Sequence, residues 1–369
     1  MLTMEDLLKQ TAEQKASDLH LNAGMPPQLR INGKLVLIGS EHLTPKIVRD
    51  LAYSMLTKEQ IETFETKKEL DLSFGVEDLG RFRINVFYQR GSVGVAIRCI
   101  AYEIPSFEEL GLPEIAKEFA DSQKGLVLIT GVVGSGKSTT LAAMIECINA
   151  KRSCHIMCIE DPIEYLYRHK KCSINQREIG NDTLSFTDAL KHVFRQDPNV
   201  VLIGEMRDLE TIHAALTLAE TGHFILATLH TGDATHVVSR IVDVFPPHQQ
   251  QQIRVQLSLV LVGVVVQQLI PRADGKGRVL ATELMRVIPA IQNLIRENDL
   301  PQIHTVIQTG SKYGMWTMNQ SLADLCGRGI ITWEEASKRT AEIEELSTLL
   351  RSKRYTKSRD FLHSLVTFP

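Results

Sequence analysis

Long apolar runs are missing from this 369-residue sequence. The most apolar stretch, Leu257 to Val266, is broken by Ser258 and Gly263. It falls far short of the roughly 20 residues that a membrane-spanning helix needs. An excess of one charge is also missing, with 41 Lys plus Arg against 44 Asp plus Glu. That balance excludes a bulk electrostatic grip on nucleic acid and leaves only a local basic groove as a route to such binding. Cysteine is scarce. Six in the whole chain are too few for a disulfide framework. Cys154, His155, Cys158, His169 and Cys172 lack the C-x-x-C pair of a zinc site. "CHIMCIED" reads instead as an apolar strand in which cysteine acts as a small hydrophobe. The opening "MLTMEDLLKQ" is polar and acidic, unlike a signal peptide. Internal repeats are absent, and "HQQQQ" at 248–252 is a short polar start to a helix. The expectation is a protein of the reducing cytoplasm, of ordinary globular composition and about two domains.

Against these absences stands one strong local signal. Gly131-x-x-x-x-Gly136-Lys137-Ser138 fits the phosphate-loop pattern. The apolar run Leu126–Ile129 before it reads as a buried strand, and Ser138 to Ile148 after it has helical composition. Glycines at 131, 134 and 136 let the loop turn its N–H groups inward around phosphate oxygens, at the positive end of the following helix. Gly131, Gly134, Ser135, Gly136, Lys137, Ser138 and Thr139 are the expected contacts to ATP. Lys137 supplies a charge for the β/γ phosphates, and the Ser138 hydroxyl a ligand for Mg²⁺.

The pattern around the loop sets the fold class, α/β. Residues 1–100 combine a helix at Met1–Lys15, a hairpin at Asn32-Gly33, an amphipathic helix over Thr44–Phe64 and alternating strands with glycine turns. This predicts an α+β domain on an antiparallel sheet. Residues 101–115, with two prolines and no clear period, read as a linker. From 116 to 369 short apolar strands alternate with helical stretches, the pattern of a mainly parallel sheet with crossover helices. The strands expected are 126–130, 156–160, 200–204 and 224–229.

In such sheets chemistry gathers at the carboxyl ends of strands. One strand runs into Glu160, Asp161 and Glu164, the next into Glu205, the last into His230. Gly204 occupies the place where a phosphate-loop enzyme normally carries a metal-assisting Asp. Glu205 is therefore the candidate catalytic base, and the metal-assisting carboxylate must be Glu160, Asp161 or Glu164. His230 is a candidate γ-phosphate sensor. In the N-terminal domain, Arg81 and Arg83 lie two apart on a strand and share a face. With Arg90 and Arg98 they suit either a neighbouring subunit's phosphates or a solvated basic edge strand.

Together the motifs resemble the secretion and type IV pilus ATPases, and within them the PilT-type retraction motors. "ASDLHL" and "PPQLRINGKL" look like that family's PAS-like N-terminal domain, and "GRFRINVFYQRG" like its arginine-bearing segment. "IEDPIEY", "LIGEMRDLETI" and "AETGHFILATLHT" are similar to its acidic box, second nucleotide-binding strand and histidine box. The resemblance implies a C-terminal RecA-like domain that hydrolyses ATP with Mg²⁺, assembled as a homo-hexamer. It makes Glu160 and Glu205 key acids, places His223 and His230 in the histidine box, and makes Arg81, Arg83, Arg90 and Arg98 candidates for nucleotide contact. The implied partners are an inner-membrane pilus platform protein and a paralogous pilus ATPase, at the cytoplasmic side of the inner membrane and without nucleic acid. Extension ATPases of the family carry a longer N-terminal region and a four-cysteine zinc site. Neither stands in this sequence, so the expectation is retraction. Departures from the family are Val132 and Val133 in place of Pro and Thr, and Gln292 in "PAIQNLIRE" where retraction motors carry Arg. The second departure keeps open a PilU-like accessory role, with a nucleic-acid translocase as a third reading. The basic "RSKRYTKSRDF" near the end reads as a solvated tail.

Overall fold

The computed structural model describes residues 2–14, 16–31, 34–76, 80–100 and 103–351. They divide into two units. One runs to Glu103 and takes in Glu164–Leu166; the other holds Ile104–Ile163 and continues from Tyr167.

The first unit opens with α1 (Met4–Glu13), capped by Thr3, whose hydroxyl accepts from Asp6 N–H. Strands β1 (Asp18–Leu21), β2 (Gln28–Ile31) and β3 (Lys34–Leu37) follow. The expected turn residues Asn32-Gly33 lie outside the described residues, but β2 and β3 pair antiparallel with Ile31 opposite Lys34. The helix expected over Thr44–Phe64 is two helices, α2 (Pro45–Tyr53) and α3 (Lys58–Lys67). The reason is local. Thr57 accepts from Gln60 N–H while the Gln60 side chain returns to Thr57 N–H, so a complete helix start sits inside the amphipathic stretch. Strands β4 (Glu69–Val76), β5 (Gly80–Gln89) and β6 (Ser92–Ile100) complete an antiparallel sheet of order β3-β2-β1-β6-β5-β4. Along β5, Phe82, Ile84 and Val86 are buried while Arg81 and Arg83 point to the other face.

The second unit begins within the stretch expected to be a linker. Ala101 and Tyr102 lie outside the described residues. Ser106 and Glu109 form a capping box that starts α4 (Phe107–Leu110), and α5 (Glu114–Ala120) follows. Phe107, Leu112 and Ile115 pack into this unit's core, so the second half of the expected linker is a buried brace. The chain then runs β7 (Gly125–Thr130), α6 (Lys137–Lys151), β8 (His155–Glu160), β9 (Ser173–Glu178), α7 (Phe186–Val193), β10 (Val200–Ile203), α8 (Leu209–Glu220), β11 (Phe224–Leu229), α9 (Ala234–Asp243), α10 (Pro247–Val260), β12 (Leu261–Pro271) and β13 (Arg278–Arg286). Helices α11 (Pro289–Glu297), α12 (Leu300–Thr309), α13 (Met318–Gly327), α14 (Trp333–Ser337) and α15 (Ile343–Arg351) close it. The basic tail from Ser352 on lies outside the described residues.

The sheet order is β13-β12-β7-β11-β10-β8-β9, parallel except for β13 against β12. Helices cover both faces, so the central strands β7, β10 and β11 are buried along their whole length. Leu126 and Leu128 of β7 enter one core layer, Val127 and Ile129 the other. Each such side chain contributes about 1.5–3 kcal/mol by leaving water. Among the described residues no helix is long and apolar enough to cross a membrane.

One buried acid ties the helical end to the sheet. Glu283 on β13 accepts from Ala234 N–H at 2.7 Å and Met318 N–H at 3.2 Å, the first residues of α9 and α13. Burial pushes its carboxyl above the usual range, against the pull of those two N–H groups. Glu283→Ala strands two buried donors and is expected to cost roughly 2–5 kcal/mol, with Glu283→Gln, which keeps an acceptor, costing much less. The measurement is urea denaturation followed by tryptophan fluorescence in a Trp333→Phe background, which leaves Trp316, whose indole N–H bonds the neighbouring Thr282 carbonyl.

Candidate active site

The phosphate loop bridges the end of β7 and the start of α6. Gly131, Gly134 and Gly136 take positive φ values of 144°, 77° and 91°. At Gly131 a side chain is excluded twice over. Its φ disfavours L residues, and a Cβ there would overlap the Gln267 carbonyl and the Ser135 hydroxyl. Gly136 is the N-cap of α6 and brings no side-chain acceptor to the first-turn N–H groups. An anion can take those donors instead. Ser135 Oγ is buried without a partner. Such an orphan hydroxyl inside a glycine-lined cradle fits a phosphate oxygen.

Lys137 is 9% exposed, and its ammonium must be satisfied locally. Nζ donates to Gly131 O at 2.8 Å and Val132 O at 3.1 Å, and faces His230 Nδ1 at 3.4 Å. An ammonium only donates, so Nδ1 of a neutral His230 accepts and the ring proton sits on Nε2. Nε2 lies 3.3 Å from Glu205 Oε1, while Arg207 reaches Glu205 Oε2 at 2.7 Å. Burial alone would raise the Glu205 carboxyl. The hydrogen bond and charge of Arg207, with the hydrogen bond from His230, outweigh it and hold the group below the usual carboxylate range. Three strand ends, β7, β11 and β10, thus deliver one continuous polar chain: Lys137, His230, Glu205, Arg207. Cross-links hold the strand ends together. Thr130 Oγ1 accepts from Thr231 N–H at 2.9 Å, and Thr228 donates to the Gly204 carbonyl.

Residues 2–338 match the family described as type II/IV secretion system protein. The chain is 46% identical over 344 residues to the type IV pilus retraction ATPase PilT of Pseudomonas aeruginosa, covering 93% of this chain and 99% of that protein. The chain belongs to the type II/IV secretion family, as a PilT-type ATPase. It is also 39% identical over 350 residues to the type IV pilus ATPase PilU of the same organism, covering 95% and 92%. A crystal structure of the pilus retraction motor PilT with bound ADP superposes with a TM-score of 0.88 at 47% identity, over 94% of this chain and all of that one.

In this PilT-type ATPase the other expected residues fall into distinct places. Glu160 ends β8 and is 8% exposed. It stands beside Gly204, whose N–H donates to Ile159 O at 2.8 Å. A Cβ on Gly204 would sit 3.3 Å from Glu160 Cα, a tight approach that the neighbouring backbone would have to yield to. Asp161 and Glu164 are exposed, and Glu164 falls with the first unit. Ser138 and Thr139 are half-buried in the first turn of α6. A serine hydroxyl and a carboxylate are hard oxygen donors of the kind Mg²⁺ prefers, so Ser138 and Glu160 fit it.

His223 is not brought to the loop. It precedes β11 at the opposite end of the sheet, where its carbonyl accepts from Gly125 N–H, and its ring bonds Leu218 O. On the first unit, Arg98 is engaged with Asp18 at 2.9 Å, Arg83 stands directly across from Arg98, and Arg90 sits in the β5–β6 turn with φ 47°. The edge-strand reading of these arginines fails, because β5 lies between β4 and β6. Sequence reasoning passed over Arg207, Gln176 and Glu178. The signal for the last two was the alternation Ile174, Gln176, Glu178 along one face of β9, which ends on an almost fully buried acid.

Proposed function

We propose that this chain is the subunit of a hexameric motor that hydrolyses ATP to retract a type IV pilus. The observation that carries the reading is the intact chain from Lys137 through His230 to Glu205, in a protein matched along nearly its whole length by PilT. In this reading the loop residues Gly131, Gly134, Ser135, Gly136, Lys137, Ser138 and Thr139 hold the triphosphate. Ser138 and Glu160 are the residues that would hold Mg²⁺. When bound, that ion offsets charge on the β and γ phosphates. Glu205 takes the proton of the attacking water, and His230 donates from Nε2 toward the Glu205 side of the γ-phosphate. Arg81, Arg83 and Arg90 are the basic groups offered to a neighbouring subunit's nucleotide. The ring acts on an inner-membrane platform protein from the cytoplasmic side.

A second reading, an accessory ring partner of a sister motor, is favoured by one residue. Gln292 is half-buried on α11, off the face formed by fully buried Ile291 and Ile295. Glutamine there cannot make the bidentate ion pair of an arginine. The test is deletion of the gene. Loss of surface twitching with an excess of surface pili, restored by the wild-type gene and not by Lys137→Ala, is the expected result. Unchanged twitching and pilus number would rule out an independent retraction motor. A hexamer by light scattering in the presence of nucleotide is expected for either reading.

A further inference from the structure

Strand β9 is the outer strand of the ATPase sheet, and it reaches over the turn that follows Glu160. It pairs parallel with β8 so that Gln176 stands opposite Cys158 and Glu178 opposite Glu160. These side chains share one face. Gln176 Nε2 donates to Glu160 Oε1 at 3.0 Å, and Gln176 Oε1 accepts from Tyr167 N–H at 3.1 Å. The second bond removes the usual ambiguity of an amide. A backbone N–H must face the oxygen, so the NH₂ must face Glu160. Two residues on, Glu178 Oε2 accepts from Ile163 N–H at 3.1 Å. The turn is therefore pinned from β9 at both ends, at Ile163 and at Tyr167.

We propose that Gln176 is a positioning residue for ATP hydrolysis: it holds the Glu160 carboxylate in the orientation that serves the metal–nucleotide complex and ties that orientation to the Tyr167 backbone. The inference rests on the reading of Glu160 as the metal-assisting carboxylate. Its physical basis is threefold. Glu160 is almost fully buried, so the rotation of its carboxylate is set by protein groups rather than water. A neutral donor fixes the carboxylate without cancelling its charge, where a lysine or arginine at 176 would weaken its attraction for a cation. Glu178, the acid directly opposite, accepts from the Ile163 N–H and the Asn181 amide, while the Gln176 amide donates to Glu160, so the two neighbouring acids are served by different donors. Groups of this kind, bonded to a ligand rather than to the metal, typically change metal affinity about 10–100-fold when removed.

The test compares full-length Gln176→Leu and Glu160→Gln with the parent protein. Mn²⁺ binding to the ADP complex is measured by electron paramagnetic resonance, ADP binding in EDTA by calorimetry, and the Mg²⁺ requirement of turnover in parallel. Gln176→Leu is expected to weaken Mn²⁺ binding about tenfold and raise the half-maximal Mg²⁺ concentration to match, with metal-free ADP binding unchanged within about twofold. A purely structural role would instead lower both affinities together with the melting temperature, and would overturn the proposal. Unchanged Mn²⁺ binding in Gln176→Leu, with Glu160→Gln impaired, overturns the proposal and leaves Glu160 in its role. Unchanged Mn²⁺ binding in Glu160→Gln removes the underlying reading of Glu160 itself. Should the leucine variant not fold, Gln176→Glu keeps the acceptor for Tyr167 N–H and loses the donor to Glu160. A shift of Mn²⁺ affinity in that variant supports the proposal, and none overturns it.

Discussion

Glu205→Gln is expected to bind ATP and to hydrolyse it about 10²–10⁴-fold more slowly than the parent protein, the span usual for loss of a general base. The carboxylate is held ionised by Arg207 and His230 against the opposing effect of its own burial. It is therefore ready to accept a proton at neutral pH. A glutamine of the same shape is not a base. It also fails in a second way. Glu205 accepts from Arg207 on one oxygen and from His230 Nε2 on the other, whereas glutamine has one acceptor and an NH₂ that faces a donor. One of the two partners must turn away. Fluorescent ATP-analogue binding should stay within a few-fold of the parent while single-turnover hydrolysis collapses. Hydrolysis at close to the parental rate would move the base elsewhere in the site.

Lys137→Ala is expected to remove measurable turnover, a loss of at least about 10³-fold, and to weaken ATP binding as well. Loss of one preorganised donor to developing charge typically costs about 10²–10³ in rate, and this one carries a full charge in an almost fully buried place. The variant loses a second thing. With Nζ gone, the carbonyls of Gly131 and Val132 lose their donor, so the loop itself is less well held. Lys137→Arg separates the two effects. It restores charge, but a planar guanidinium cannot follow the geometry of an ammonium among closely spaced acceptors. Calorimetry with ATP and a phosphate-release assay read the two quantities. ATP bound by Lys137→Ala as tightly as by the parent would show that the loop backbone alone holds the triphosphate.

The end of the sheet where Lys137, His230 and Glu205 meet was legible in the sequence because its signals are local. Glycine spacing marks the loop, and short apolar runs ending in Glu160, Glu205 and His230 mark the strands that converge there. The observed strands start or stop within a residue of those expected. Other features depend on partners far away in sequence. The run Leu257 to Val266 is apolar except at Ser258 and Gly263, and nothing in it announces that α10 ends at Val260 and β12 begins at Leu261 with no loop between. The stretch 101–115 reads as a spacer because its prolines are visible and the burial of Phe107 is not. His223 lies in the same short segment as His230, yet it stands just before β11 rather than after it. Gln176 shows in the sequence only as one step of the Ile174, Gln176, Glu178 alternation; its bonds to Glu160 and Tyr167 appear only in the fold.

The bare backbone at Gly204 bears on any attempt to graft an acid onto the end of β10. In most phosphate-loop enzymes the metal-assisting acid grows from that position; here the strand has closed up against its neighbour, and the space a Cβ would need is bordered by Glu160 Cα and Ile159 O, each at 3.3 Å. A side chain at 204 therefore fits only if the neighbouring backbone gives by a few tenths of an ångström. Gly204→Asp would press on the strand that carries Glu160 rather than simply add a second acid beside it.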